Sequence, residues 1–346
     1  MRRQSRRRQS RSRAEEVASP PATMSAADPV PNPPSGLFVD VDPDAIRPVE
    51  KVQADASHGR ALDSCLFPRG DADDARVTSH ALASPLDACI LHDVLTADEC
   101  AALRSVAESA EYSFWNAAVS TATFRNSDTV EITSEAVARE LWSRVAPHVP
   151  ASVAIVPGDR FHESGLEGTW RACGINQHLL FNRYRPGGHF SPHTDGATIV
   201  DLNERSLYSV LLYLNECDVG GETALFAPPP GTSMGRFVER GGVYRWPPEW
   251  RVDEAPVALG TALVFSQDTP HEGAPVGAGR EKIIIRTDVM FRREPARFED
   301  ATGREAYALH RDAQAAEGRG DHMEAMRLYR HCRRLCPAYA DFVGIG

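Results

Sequence analysis

"INQHLLFNRYRPGGHFSPHTD", residues 175–195, holds two extended runs joined by a tight turn. Ile175–Tyr184, with its apolar Leu179-Leu180-Phe181 run, is a strand candidate. Arg185-Pro186-Gly187-Gly188 then supplies turn chemistry. The chain is extended again from His189 to Asp195. More strand candidates follow downstream. "SLYSVLLYLNE" (206–216) reads as a long buried strand, and "VGGETALF" (219–226) follows a Gly-Gly turn. "VALGTALVFS" (257–266) and "EKIIIRTDVMF" (281–291) are two more. Many strands, glycine-rich turns and few helices predict an antiparallel sandwich or barrel. The segment from Ala227 to Ala255 is long and rich in Pro, Gly and Trp, and Tyr244, Trp246 and Trp250 make it a candidate lid.

Helices are expected on either side. In "LTADEC" (95–100), Thr96 and Glu99 form a capping box, because each side chain satisfies an orphan N–H beside the other. Cys100, Leu103, Val106 and Ala110 follow with helical spacing. "TSEAVARELWSRVAPHVP" (133–150) carries Val137, Leu141 and Val145 on one stripe. The tail, 300–346, predicts a C-terminal helical hairpin that either packs on the main domain or meets a protein partner. Residues 1–80 read as a basic, Pro-rich, largely disordered N-terminal region.

Composition narrows the class. The chain has 346 residues, 42% hydrophobic and 25% charged, with a net charge of −10. Seven arginines and no acid occupy the first thirteen residues, so the remainder is more acidic still and a poor candidate for nucleic acid. That arm has no apolar core segment, which excludes a secretory signal. It reads as a disordered arm, an organelle or nuclear address, or a phosphorylatable tail. No apolar run reaches the ~18 residues of a membrane span. Seven cysteines without a CxxC pair argue against a zinc ribbon or a disulfide framework. The expectation is reduced thiols, mostly in the core, in an intracellular protein of the cytoplasm or nucleus.

His193 and Asp195 are the chemistry in the opening stretch. On an extended chain, residues i and i+2 point the same way, so their tips can converge on one cation. Two other His-x-acid pairs, His310–Asp312 and His322–Glu324, fall in the helical tail, where i and i+2 diverge. His189 lies ~13 Å from His193 on an extended strand, too far to share a metal, and is expected at the barrel mouth or in solvent. A third ligand candidate is His271, between two strands. Imidazole and carboxylate suit Fe(II) at a site with open positions, and they also suit a zinc hydrolase. Lys282 and Arg286, four apart on a strand, share a face. Two cations there need anions to meet them, and a dicarboxylate would serve.

The order Tyr-x-x-Gly…His-x-Asp…Gly-Gly-Glu-Thr…His-x-Gly-x-Pro-Val-x-x-Gly…Lys resembles the iron(II)/2-oxoglutarate-dependent dioxygenases, in their prolyl 4-hydroxylase-like branch. The resemblance covers 85–295, with "LTADEC" and "FRNSD" inside it, and a catalytic core at 172–293. It implies a mainly β fold, a double-stranded β-helix (jelly roll) with flanking N-terminal α-helices. It implies Fe(2+), 2-oxoglutarate and O2, with ascorbate as a further cofactor. By position, His193, Asp195 and His271 match the iron ligands, and Tyr184 matches a tyrosine that reaches the 2-oxoglutarate carboxylate. Lys282 matches the base that pairs with that carboxylate. The family lysine sits ten after the distal histidine; here Glu281 stands there and Lys282 follows, which leaves Arg286 as the alternative. Thr223 and Phe226 read as barrel core. The implied reaction hydroxylates a substrate C–H and releases succinate and CO2. A carboxylate at Asp195 argues against the halogenating relatives, which leave that place for chloride. The implied substrate is a prolyl or other residue in a protein. The alternatives are a small molecule, or a catalytically inactive jelly roll used for binding. The tail resembles one tetratricopeptide repeat at Ala313, Gly320, Ala325, Tyr329 and Pro337.

Overall fold

The computed structural model describes residues 53–66, 77–114, 124–159, 165–231, 238–240 and 243–346. The arginine-rich arm and the Pro-rich stretch before residue 53 lie outside these. The described chain opens with α1 (Ala56–Leu62), β1 (Thr78–Ala81) and β2 (Ala88–His92). α1 and the start of β1 fall inside 1–80, the region expected to be largely disordered. Asp55 caps α1 by accepting from the Ser57 and His58 N–H groups. Leu62, Cys65 and Leu66 are then buried in the main core. The helix is only seven residues long and mostly polar, so it has little periodic signal.

Next come α2 (Ala97–Ser109), β3 (Ser113–Phe114), β4 (Arg125–Asn126), β5 (Asp128–Thr133), α3 (Glu135–Val145), β6 (Ser152–Ile155) and β7 (Gly168–Ile175). The capping box is present: Glu99 N donates to Thr96 Oγ1 at 3.2 Å, and Thr96 N donates to Glu99 Oε2 at 2.8 Å. Glu99 does a second job. Arg144 of α3 donates to both its oxygens at 2.8 and 2.9 Å, so a buried bidentate pair ties the two helices together.

The core strands are β8 (His178–Tyr184), β9 (His189–His193), β10 (Glu204–Tyr213) and β11 (Thr223–Phe226). After the ribbon of β12 (Val238–Arg240) and β13 (Val243–Arg245) come β14 (Arg251–Ala255), β15 (Ala262–Ser266), β16 (His271–Gly273) and β17 (Lys282–Glu294). The larger sheet contains the order β15-β10-β17-β8, and the smaller one β14-β11-β16-β9. All these pairings are antiparallel. Following the chain, β8, β10, β15 and β17 fall in one sheet while β9, β11, β14 and β16 fall in the other. That interleaving is the double-stranded β-helix. β5 and β3 extend the larger sheet beyond β8, and β4 extends the smaller one beyond β9.

Pleating divides the core. On β17, Ile283, Ile285, Val289 and Phe291 join Leu103, Val137 and Leu141 of the helices in one apolar cluster. Ile284 instead joins Tyr184, Leu211, Tyr213, Leu225 and Phe265 between the two sheets. Alternate residues of each central strand thus face the helices or the barrel interior.

The tail has three helices: α4 (Ala301–Gly318), α5 (His322–Leu335) and α6 (Pro337–Phe342). α4 and α5 form the expected hairpin, closed by Ala313, Ala316, Ala325 and Leu328. α6 was not foreseen. Tyr339 on it packs with Ala306, Cys332 and Phe298, and the Arg297 guanidinium lies 4.5 Å from the Phe342 ring centroid. The hairpin therefore packs on the domain. All seven cysteines are unpaired, with Cys65, Cys100, Cys217 and Cys332 buried and Cys173 exposed. No described helix is long and apolar enough to cross a membrane.

Candidate active site

β9 and β16 pair so that His193 and His271 stand directly opposite each other. Asp195 follows β9, its backbone N–H donating to Gln267 O at 3.1 Å. One potential ligand atom from each of the three lies within 4.8 Å of the others, and this is the one such cluster among the described residues. His193 Nε2 is 3.7 Å from Asp195 Oδ1, and His271 Nε2 is 3.9 Å from Asp195 Oδ2. The other ring nitrogens are occupied. His193 Nδ1 donates to Ser191 O at 2.8 Å, and His271 Nδ1 to Thr269 O at 3.0 Å. This fixes the tautomer and leaves both Nε2 lone pairs toward the cluster.

Electrostatics favour ligands over acids. Burial, with His271 nearby, pushes the His193 imidazole down to about 3. Burial also holds His271 below its ordinary value. Burial alone would raise Asp195, but Arg286, the two histidines and a hydrogen bond from Ser209 hold its carboxyl well below the usual range. Ser209 Oγ donates to Asp195 Oδ2 at 2.6 Å. The triad is thus two neutral imidazoles and one carboxylate, the protonation states a divalent ion needs.

Lys282 lies in the same cavity, about 630 Å³ in volume. It is opposite Tyr184 across β17 and β8. The residue is 2% exposed, and its ammonium donates to Gly221 O at 2.7 Å and to Thr223 Oγ1 at 3.2 Å. Burial pulls its pKa down to about 8. Glu281, ten residues after His271, is exposed. The turn at Gly279, φ 69°, brings Lys282 inward instead. Gly220 makes the facing wall close-packed: a Cβ there would sit 2.2 Å from Pro275 O.

Arg286 also lines the cavity, but in company. Its Nη2 meets Asp288 Oδ1 at 3.1 Å and donates to Gly196 O at 3.2 Å, while its Nε is 3.7 Å from Asp195 Oδ2. Asp288 is fully buried and accepts from Thr198 Oγ1 and Gln267 Nε2 at 2.7 and 3.0 Å.

Three expectations change. Thr223 is not mere core: it lines the cavity and accepts from Lys282 and from Tyr213 O–H at 2.8 Å. His189 is fully buried, away from mouth and solvent, with Nδ1 donating to Gly187 O at 3.1 Å. The lid candidate has a packed footing. Trp246 and Trp250 form a cluster with Ala224 and Phe226, and no described residue of 227–255 lines the cavity. Residues 232–237 and 241–242 of that segment lie outside the described residues. Phe226 is core, as expected.

Arg125 and Asn182 were not singled out from the sequence. Arg125 is buried, donates to Asn182 Oδ1 at 2.6 Å and lies 4.5 Å from the Phe190 ring centroid. Phe190 stacks on His193 with centroids 3.5 Å apart. The signal that could have found Arg125 is the "FRNSD" match, since β4 pairs with β9 at Arg125 and Phe190.

Residues 179–287 match the family model of the 2OG-Fe(II) oxygenase superfamily. The chain carries a 2OG-Fe(II) oxygenase domain. That family implies Fe(II), 2-oxoglutarate and O2, and the domain is an enzyme's. No curated protein matches the sequence. Among solved structures, the oxygenase is similar to a prolyl-4-hydroxylase of Pseudomonas putida at 18% identity, covering 61% of this chain and 94% of that one, TM-score 0.37. It is similar to a viral collagen prolyl hydroxylase of Paramecium Bursaria Chlorella virus-1 at 16% identity, covering 61% and 99%, TM-score 0.35. A prolyl hydroxylase of Trichoplax adhaerens, solved with a hypoxia inducible factor peptide, is 17% identical over 61% and 85%, TM-score 0.37.

Proposed function

We propose that His193, Asp195 and His271 hold Fe(II), that Lys282 with Tyr184 holds the distal carboxylate of 2-oxoglutarate, and that the enzyme hydroxylates a substrate C–H. The observation that carries this reading is one cavity containing both the convergent triad and a buried lysine. The donor set fits the ion: two imidazole nitrogens and a carboxylate converge with their protons elsewhere. The charge fits the co-substrate. Arg125, Lys282 and Arg286 outnumber Glu131 and Asp195 in the lining, and a divalent ion widens that surplus. A dicarboxylate reduces it.

Bound there, Fe(II) with 2-oxoglutarate and O2 supplies the oxidising chemistry, with succinate and CO2 as products. This chain's residues do the rest. Lys282 and Thr223 O–H anchor the far end of the co-substrate, and burial strengthens that pairing. Ser209 holds one oxygen of Asp195 and so fixes the carboxylate's orientation. Arg286 is a poor clamp for the distal carboxylate, because Asp195 and Asp288 already face it.

For the substrate, we favour a prolyl or other residue in a protein, on the sequence resemblance. Gln53, Asn176, His178 and Thr198 line the cavity too, and these hydrogen-bonding groups suit a peptide backbone. A small molecule is the alternative. Two measurements test the reading. Anaerobic addition of Fe(II) and 2-oxoglutarate should produce a visible charge-transfer band, and O2 should then release succinate. No band refutes the site. A band without succinate, across a peptide library and small molecules, favours the inactive binding barrel.

A further inference from the structure

The described chain starts at Gln53, at the mouth of the active-site cavity. Gln53 makes an isolated parallel bridge to Glu131 of β5, and Ala54 N donates to Glu131 O at 2.9 Å. The Gln53 side chain donates to Glu131 Oε1 at 2.8 Å. The residue lines the cavity and is also exposed, which places it at the rim. β3 already pairs with β5 at Asp128 and Thr129, so the sheet offers no further pairing ahead of Gln53.

The strand registers give the distance from this rim to the triad. Arg286 stands opposite Leu180, Leu180 opposite Glu131, and Glu131 opposite Gln53. Residues directly opposite share a face, and all four line the cavity. Arg286 marks the inner end of the row, its Nε 3.7 Å from Asp195 Oδ2. Three strand spacings, about 14 Å along the sheet, separate it from Gln53. The sequence just before Gln53, residues 44–52, is "DAIRPVEKV". Pro48 lies five residues from Gln53, a reach of about 17 Å when extended. That matches the row, and a proline favours the extended state because its ring fixes φ. Pro43, ten residues away, overshoots it. We propose that Pro48 of the chain's own N-terminal segment enters this cavity in cis and is hydroxylated there. This rests on the dioxygenase reading above. Leu180 gives the path an apolar floor, and Gln53, Asn176 and His178 offer hydrogen bonds to a peptide backbone. One atom of O2 ends as a hydroxyl in place of a C–H hydrogen on the Pro48 ring. The other enters succinate as 2-oxoglutarate loses CO2.

The test follows oxygen into the full-length protein, purified from cells grown without O2 so that Pro48 starts unmodified. Cleavage before aspartates gives the 44–54 peptide "DAIRPVEKVQA", in which Pro48 is the one proline and there is no methionine. After incubation with Fe(II), 2-oxoglutarate and oxygen-18 gas, fragment-ion mass spectrometry should find one labelled oxygen on Pro48 of the wild type. His193→Ala should gain none. A mixture of wild type with nitrogen-15-labelled His193→Ala separates cis from trans. Only the peptide from the wild-type chains should be oxidised, and comparable oxidation of the nitrogen-15 peptide overturns the cis placement. Oxygen on any other residue of 44–54 overturns the assignment to Pro48. An unmodified peptide in a protein that forms the charge-transfer band and releases succinate overturns the proposal and leaves the dioxygenase reading standing. A protein that gives neither band nor succinate sinks both.

Discussion

The two faces of β17 make a controlled comparison. Ile283, Ile285, Val289 and Phe291 point to the helices and are almost wholly buried in apolar company. Lys282 and Arg286, between and beside them, point into the cavity and carry charge. Backbone, strand and neighbouring strands are shared; only the pleat differs. One face packs the core and the other lines the cavity. A lysine at position 281 would face away from the cavity, which is why the one-residue offset in the motif matters.

The comparison can be broken from either face. The largest effect should come from His193→Ala, which should take succinate release and the charge-transfer band below detection while leaving the melting temperature of the metal-free protein near the wild-type value. Ile285→Ala should give the opposite pattern. Deleting that fully buried side chain should cost about 2–5 kcal/mol in urea unfolding, with the 2-oxoglutarate affinity of the folded protein unchanged. If Ile285→Ala instead impairs affinity at full stability, the division between the faces is wrong.

Lys282→Met sharpens the contrast through pH. In the metal-free protein burial pulls the ammonium's pKa down to about 8, from an ordinary value of 10.5. The unfolded chain then binds more protons between those two values, so stability rises with pH across that window. The contribution is complete above the unfolded value and is lost as pH falls through the folded one. It is on the order of 3 kcal/mol. Denaturant unfolding from pH 7.5 to 10.5 should show this climb in the wild type and lose it in Lys282→Met. The smallest effect expected is that of Ser209→Ala, a loss of about tenfold in metal affinity by titration, because Asp195 loses the donor that orients it. Ser209→Thr should restore most of it.

The barrel was legible because its strands are short apolar runs bounded by turn residues, with glycine pairs at 187–188 and 220–221. The capping box at Thr96 and Glu99 was legible because it is local, and α3 was because its stripe is regular. The triad could be read in part from geometry, since His193 and Asp195 are two apart on an extended chain. His271 needed the family pattern, because only the winding of the sheets brings it opposite His193. What stayed hidden is of one kind. Arg125 reaches the site through the β4–β9 pairing, and Asp288 through a network spanning three segments of chain. Asp288 leaves no local trace, and the only one Arg125 leaves is the short "FRNSD" match. Thr223 misled because a hydroxyl among apolar neighbours looks the same in sequence whether it fills space or serves a lysine. His189 misled because what accommodates its buried imidazole, the Gly187 carbonyl included, is set by the fold and not by the local sequence.

The facing of His193 and His271 has a consequence beyond chemistry. β16 is only three residues long, and its register with β9 shifts between His271 and Gly273. Few backbone hydrogen bonds secure this seam of the smaller sheet. An ion gripped from both strands would fasten it, closing a long stretch of chain as a clasp does. Chelation should then do more than stop turnover. It should expose β9, β16 and the intervening segment to limited proteolysis, and added Fe(II) or Mn(II) should restore protection, making nicking by a protease a gauge of metal occupancy.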